Sequence, residues 1–184
     1  VIRDFLLRVA IGSISAFLAV GAGCGAVGSG GGGEGGTIVE PPSPDDGSAC
    51  SDEYTMAELA AQAVALGNAE RAQAGTPALV VDATLQAVAE DYAEGMATQG
   101  FIGHTDPDGN TVRERVLNAG YDWIAVAENL AYGPCTAERA VEGWMDSEGH
   151  RTNLLNPTYI DTGVGVYHGG AYEMYWVQVF AAHR

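Results

Sequence analysis

The chain has 184 residues, with 24 acids against eight bases for a formal charge of −16, and every base is an arginine. That balance excludes the basic face that nucleic-acid phosphates require, and an apolar fraction of 47% with 17% charged residues excludes wholesale disorder. Twelve of the 26 glycines lie in the first 47 residues, so the averages join two kinds of chain, and the length fits one domain with a tail.

The beginning reads as an export signal. Arg3 and Arg8 lead into an apolar run from Val9 to Val20, interrupted only by Gly12, Ser13 and Ser15. A helix that spans a bilayer needs about 20 apolar residues, whereas a basic start, a short apolar core and small residues describe a secretory leader. The small residues Gly21, Ala22 and Gly23 end at Cys24. This string resembles the lipobox of bacterial lipoproteins, in which the cysteine is acylated, although Gly21 stands where a larger aliphatic is usual. Residues 1–24 are therefore expected to be a signal peptide ending at a lipidated Cys24, with plain secretion as the alternative. Residues 25–49, rich in glycine and then in proline and acid, bury too little to offset their ordering entropy and are expected to be a tether. No strand precedes the glycine run and no helix opens within it, so it is not a nucleotide-binding loop. Gly163-Val164-Gly165, inside a strand-like run with no helix to follow, is set aside for the same reason.

From Cys50 onward the pattern is that of a folded domain, 50–184. Cys50 precedes the first helical stretch and Cys135 precedes another. With Cys24 acylated these are the remaining pair, and in an oxidising compartment they are expected to form a disulfide, two buried thiols being the other reading. Thr55 and Glu58 are spaced as a capping box, and Leu59, Ala63 and Leu66 recur on one face, predicting a helix over 55–74. Asp82 caps a second helix whose stripe Leu85, Val88, Ala89, Tyr92 and Met96 ends near Gly100. A short helical piece spans 111–118, and a further amphipathic helix runs from Thr136 to about Ser147 with Ala140, Val141 and Trp144 on one side. Between these, WIAVAENLAY is apolar apart from Glu128 and Asn129. A carboxylate in such a run is buried unless it lies at a cleft, and then it needs partners. The final stretch, GVGVYHGGAYEMYWVQVFAAH, is rich in valine and aromatics and is divided by His168, Gly169 and Gly170, which predicts an antiparallel hairpin. Helices followed by a hairpin imply an α+β layered domain.

Among the four histidines, His168 in a turn and His183 near the end are expected to be exposed and without a role. His104 and His150 lie in irregular segments dense with polar and small residues, GFIGHTDPDGN and SEGHRTN, and Glu128 is expected to meet one or both of them. Asp106-Pro107-Asp108-Gly109-Asn110 looks like the opening of a calcium loop, but its glycine is two positions early and its twelfth residue is Leu117 rather than glutamate, so a turn is the better account. Ser147 has His150 three residues away, but no third partner is evident and no nucleophile elbow is present.

Several short words now line up: Asn68 to Arg71 (NAER), Pro77 to Asp82, Gly100 to His104 (GFIGH), Asp106 to Gly109, Ala127 to Leu130 (AENL), Trp144 to Arg151 and Tyr175 to Phe180. In this order they resemble bacterial CAP domains, the superfamily of cysteine-rich secretory proteins, antigen 5 and pathogenesis-related proteins, in its SCP-like extracellular branch. The resemblance covers roughly Glu53 to the C-terminus. It implies an αβα sandwich with a small antiparallel sheet that includes the C-terminal hairpin, secreted or attached to the surface, with a central cleft. In the eukaryotic branch that cleft holds two histidines and two glutamates that bind divalent metal in some members. His104 and Glu128 match the first of each. The second glutamate falls on Ser147 and the second histidine on Tyr175, so the tetrad is incomplete, with His150 as a substitute. The resemblance thus makes His104, Glu128, Ser147, His150 and Tyr175 cleft candidates, and His104, Glu128 and His150 a candidate zinc set. Arg71, Arg115, Asn129, Arg151 and Asn153 are expected to be framework residues. The functional expectation is a non-catalytic envelope module that binds a lipid, glycan or protein, touches no nucleic acid and meets the membrane only through an N-terminal lipid. The alternative is a cleft hydrolase or peptidase, metal-dependent or not, using His104, Glu128 and His150.

Overall fold

In the computed structural model, which describes Cys50 and residues 54–183, local signals start and stop the helices. The leader, Cys24 and the tether lie outside the described residues. Helix α1 (Met56–Gln73) opens on Thr55, whose hydroxyl accepts from the Glu58 N–H while the Glu58 carboxylate accepts from the Thr55 N–H. Helix α2 (Ala83–Gln99) opens on the Asp82 carboxylate and closes at Gly100, held at φ 72° in the left-handed region that glycine enters without penalty. Thr111 and Glu114 form a second capping box before α3 (Val112–Asn118), and Thr136 caps α4 (Ala137–Asp146). The SEGHRTN segment, expected to be irregular, holds a further helix, α5 (Glu148–Leu155). Ser147 leaves helical geometry for one extended residue, φ −93° and ψ 123°, and the chain re-enters a helix at once. Eight residues with two apolar members offer too little periodicity to announce a helix.

Four strands, β1 (Val80–Val81), β2 (Trp123–Tyr132), β3 (Asp161–His168) and β4 (Met174–His183), form one sheet in the order β1-β3-β4-β2. The expected hairpin is β3–β4, and β2 pairs antiparallel with the other side of β4. The two-residue β1 runs parallel to β3, so the sheet is mixed rather than purely antiparallel. Two residues are too few for the alternation by which a strand is read.

Helices cover both faces, giving the α+β three-layer sandwich. Helices α1 and α4 pack with Trp144, Leu154, Trp176 and Phe180 on one face. On the other, α2 and α3 pack with Tyr92, Leu130, Val177 and Val179. This second layer sits on bare backbone: a Cβ at Gly165 would stand 2.1 Å from the Ala89 carbonyl oxygen, and one at Gly163 would stand 2.2 Å from the Leu85 carbonyl carbon. The glycines thus fix how deeply α2 rests on β3. Cys50 and Cys135 are joined with their Cα atoms 5.0 Å apart across 85 positions, a closure that stabilises by about 4 kcal/mol in the chain-entropy account. No helix among the described residues is long and apolar enough to cross a membrane.

Candidate functional site

Strand β2 is an edge of the sheet, and its pleat sends neighbouring side chains to opposite layers. Glu128 faces α3 and Asn129 faces α5. The Glu128 side chain is 1% exposed, and both its oxygens are engaged: Oε1 lies 2.8 Å from His104 Nδ1 and Oε2 lies 2.5 Å from Arg115 Nη2. A buried carboxylate survives only with such partners. Arg115 in turn organises the loop that carries His104. It donates to the carbonyls of His104 at 3.2 Å and Asn110 at 3.0 Å, and its guanidinium lies 3.4 Å from the centre of the Tyr92 ring. Tyr92 donates its hydroxyl to the Gly103 carbonyl at 2.6 Å. Burial pushes the Tyr92 phenol well above its ordinary range, against the opposing pull of the Arg115 cation. The Asp106–Asn110 segment is the turn read from the sequence: Asp106 accepts from the Asn110 N–H and side-chain amide, and the Gly109 N–H returns to the Asp106 carbonyl. Although burial alone would raise the Asp106 carboxyl, the Asn110 hydrogen bonds hold it below the usual carboxylate range.

With its Nδ1 facing a carboxylate, His104 is assigned the tautomer that donates from Nδ1, which leaves Nε2 as an acceptor. Nε2 is buried and has no partner among the described residues. His104 lines a cleft of about 360 Å³. Arg113 stands on the same side as His104, Val126 to Glu128 of the β2 edge line the cleft, and Asn153 and Tyr159 stand on the α5 side.

The other predicted site residues do not join this cluster. His150 is 2% exposed, on α5. The strand residue that reaches its backbone carbonyl, at 3.0 Å, is Asn129, not Glu128. Among the described residues, the group of three His, Cys, Asp or Glu side chains whose ligand atoms all lie within 4.8 Å of one another is Cys50, Cys135 and Glu173. The set of His104, Glu128 and His150 is therefore not assembled, because the pleat of β2 turns Glu128 away from the layer that holds α5. The donors also do not fit a resident zinc ion, which takes three or four protein ligands: both Glu128 oxygens are committed, and His104 contributes one open nitrogen. Ser147 is the half-buried joint between α4 and α5 and lies outside the cleft lining. Tyr175 is a core residue, 1% exposed, packed edge-on to Tyr172 at 6.1 Å. It lies four residues along β4 from Val179, the register partner of Glu128.

His183 is exposed, as expected, but it is not without a partner. Its Nδ1 lies 2.6 Å from Asp161 Oδ2, an oxygen that also accepts from the Tyr121 hydroxyl at 2.5 Å. His168 is exposed at the end of β3, as expected. Arg115 and Asn153, expected to be framework residues, reach the site itself: one holds the Glu128 carboxylate and the other lines the cleft. The available signal is scarcity, since residues 55–184 contain six arginines and a buried Glu128 requires one cation.

The CAP model, described as the cysteine-rich secretory protein family, matches residues 64–180. The uncharacterized protein YkwD of Bacillus subtilis is 35% identical over 117 residues, 64% of this chain and 44% of that protein. The uncharacterized membrane protein YlbC of the same organism is 34% identical over 105 residues, 57% of this chain and 30% of its own. The chain thus spans less than half the length of these curated relatives. Among solved structures, an outer surface protein of Borrelia burgdorferi superposes with a TM-score of 0.66 at 23% identity, covering 71% of this chain and 97% of that one. An extracellular protein containing an SCP domain from Bacillus anthracis gives 0.60 at 28% identity, covering 71% of this chain and 45% of that one.

Proposed function

This chain belongs to the cysteine-rich secretory protein (CAP) family, in its bacterial SCP-like branch, and from that membership we propose an exported envelope module that binds a ligand in the His104 cleft without transforming it. The observation that carries this reading is the closed surrounding of Glu128. A carboxylate paired to arginine through one oxygen and to imidazole through the other orients the imidazole and has no free oxygen to activate water. The side-chain hydrogen bond of His104 is to Glu128 alone among the described residues, and the nearby Thr111 hydroxyl is committed to Glu114. No activated nucleophile is thereby supplied. The hydrolase alternative has the open His104 Nε2 in its favour, as a base in search of a nucleophile.

Export and acylation of Cys24 are part of the same proposal. A disulfide suits an oxidising compartment, and the similar Bacillus anthracis protein is extracellular. Residues 55–184 hold 17 acids against six arginines, a charge that an anionic surface repels and that suits a domain held off that surface on a tether. Mass spectrometry of the mature protein is expected to find diacylglycerol on Cys24; an unlipidated N-terminus downstream would replace anchoring with secretion. For the cleft, the His104 ring signals of the full chain are followed while lipid vesicles, solubilised glycan strands and envelope peptides are added in turn. One class is expected to shift them saturably and be recovered chemically intact. Turnover of that class would replace the binding role with the hydrolase.

A further inference from the structure

Val126 to Glu128 of β2 line the cleft, and the sheet register shows which way their backbone faces. Ala181 of β4 accepts from the Ile160 N–H on its β3 side. Its partner on the other side is Val126, so the Val126 N–H and C=O must turn away from the sheet. By alternation the same holds for Glu128 and Leu130. Those two outward carbonyls are met by side chains: Asn153 Nδ2 approaches the Glu128 oxygen at 3.5 Å, and Trp144 Nε1 donates to the Leu130 oxygen at 3.2 Å. Val126 has no such cover. Among the described residues its outward N–H and C=O have no partner, and it lines the same cleft as His104, whose buried Nε2 is also open.

We infer that the cleft takes an extended peptide, which adds to the β2 edge by pairing its backbone with Val126. The inference rests on the binding role proposed above and names its ligand class. A strand edge presents a donor and an acceptor at the repeat of an extended chain, and another peptide backbone matches both at once. The paired peptide would send alternate side chains toward the two walls. On the α3 wall, His104 Nε2 accepts from an amide or hydroxyl. A lipid chain in the same place would leave the Val126 N–H, the Val126 C=O and His104 Nε2 covered and unpaired, which disfavours it. A glycan offers hydroxyls without the strand repeat.

The test uses the ¹⁵N-labelled full chain and a mixture of random hexapeptides with free carboxyl termini. The same mixture N-methylated at alternate amides serves as the comparison. The Val126 amide is expected to shift saturably with the same midpoint as the His104 ring, and its N–H exchange with solvent to slow by about tenfold or more. N-methylation is expected to weaken binding by about tenfold. Val126→Pro, tolerated at an edge whose N–H faces outward, should keep the fold and lose the binding. No saturable change at Val126 up to about 10 mM peptide, a weak limit of binding, would overturn the inference, as would equal binding of the N-methylated mixture. A His104 shift with lipid or glycan but none at Val126 would also overturn it while leaving the binding role standing. Cleavage of the hexapeptides would overturn the binding role itself.

Discussion

Arg71 on α1 and Arg115 on α3 occupy opposite faces of one sheet, and the company each keeps differs in kind. Among the described residues Arg71, fully buried, meets only carbonyls: Pro77 at 2.7 Å, Leu154 at 2.8 Å, Asn156 at 3.0 Å and Tyr159 at 3.0 Å. These carbonyls come from two segments far apart in sequence, the second starting in the last turn of α5, so the guanidinium fork fastens the 74–79 and 154–160 segments to α1. Burial lowers its pKa from the ordinary arginine value. Arg115 shares carbonyls with its own loop but also meets the Glu128 carboxylate, which holds His104. A buried cation surrounded by neutral dipoles ties segments together. One paired to a carboxylate that also grips an imidazole belongs to a site.

The largest expected effect comes from the layer beneath Arg115. Gly165→Ala places a methyl 2.1 Å from the Ala89 carbonyl and should cost more than about 4 kcal/mol or abolish folding, measured by urea unfolding. Near-native stability would show that α2 is not seated on β3 as described. Arg71→Met strips several buried carbonyls of their donor and should cost about 4 kcal/mol. The His104 ring signals of the folded fraction should stay in place; if they move, the two arginines are not separate in function. Arg115→Gln leaves Glu128 buried without its cation, at about 3 kcal/mol, and should move those signals. Adding Glu128→Gln should restore at least about 1 kcal/mol, and an additive double mutant would remove the charge pairing from the account.

Alkaline pH sharpens the contrast more gently. Burial raises the phenols of Tyr92, Tyr121 and Tyr159 from the ordinary value of 10. A raised phenol pKa means the folded state holds its proton longer than the unfolded chain. That contribution is complete below pH 10 and is lost as the pH climbs from there through the folded values, at up to about 1.4 kcal/mol per unit for each phenol. Tyr92→Phe, which removes a ring hydroxyl beside Arg115, should flatten the slope above pH 10 by one phenol's share. The smallest effect on stability is expected from His104→Ala, about 1 kcal/mol or less, together with loss of ligand shifts in the cleft. A large destabilisation without loss of binding would make His104 a structural residue like Arg71.

Much of the fold is legible in short spans because its signals act over three or four residues. The two capping boxes, the Asp82 and Thr136 caps and the Gly100 stop each pair a side chain with the backbone next to it, or a glycine with its own turn. The hairpin and the Cys50–Cys135 bond follow from composition and from the small number of cysteines. Helix α5 and strand β1 escape because eight and two residues carry almost no periodicity. Of the site, His104 and Glu128 are legible, as is their meeting. His150, Ser147 and Tyr175 are not separable from them by motif order, which records sequence position and not the face of a strand.

Read as a string of residues, the chain already yields the family, the layered α+β architecture, most helix boundaries, the disulfide and the suspicion that Glu128 sits where an acid needs partners. Three things required the folded chain: that the cation is Arg115, that His150 lies with the other layer, and that Val126 leaves its backbone open at the cleft. Each of these depends on strand parity and on a register between β2 and β4, which pairs Val126 with Ala181 and Glu128 with Val179. Side-chain direction reverses with every residue along a strand, and no local pattern carries that choice across such a distance.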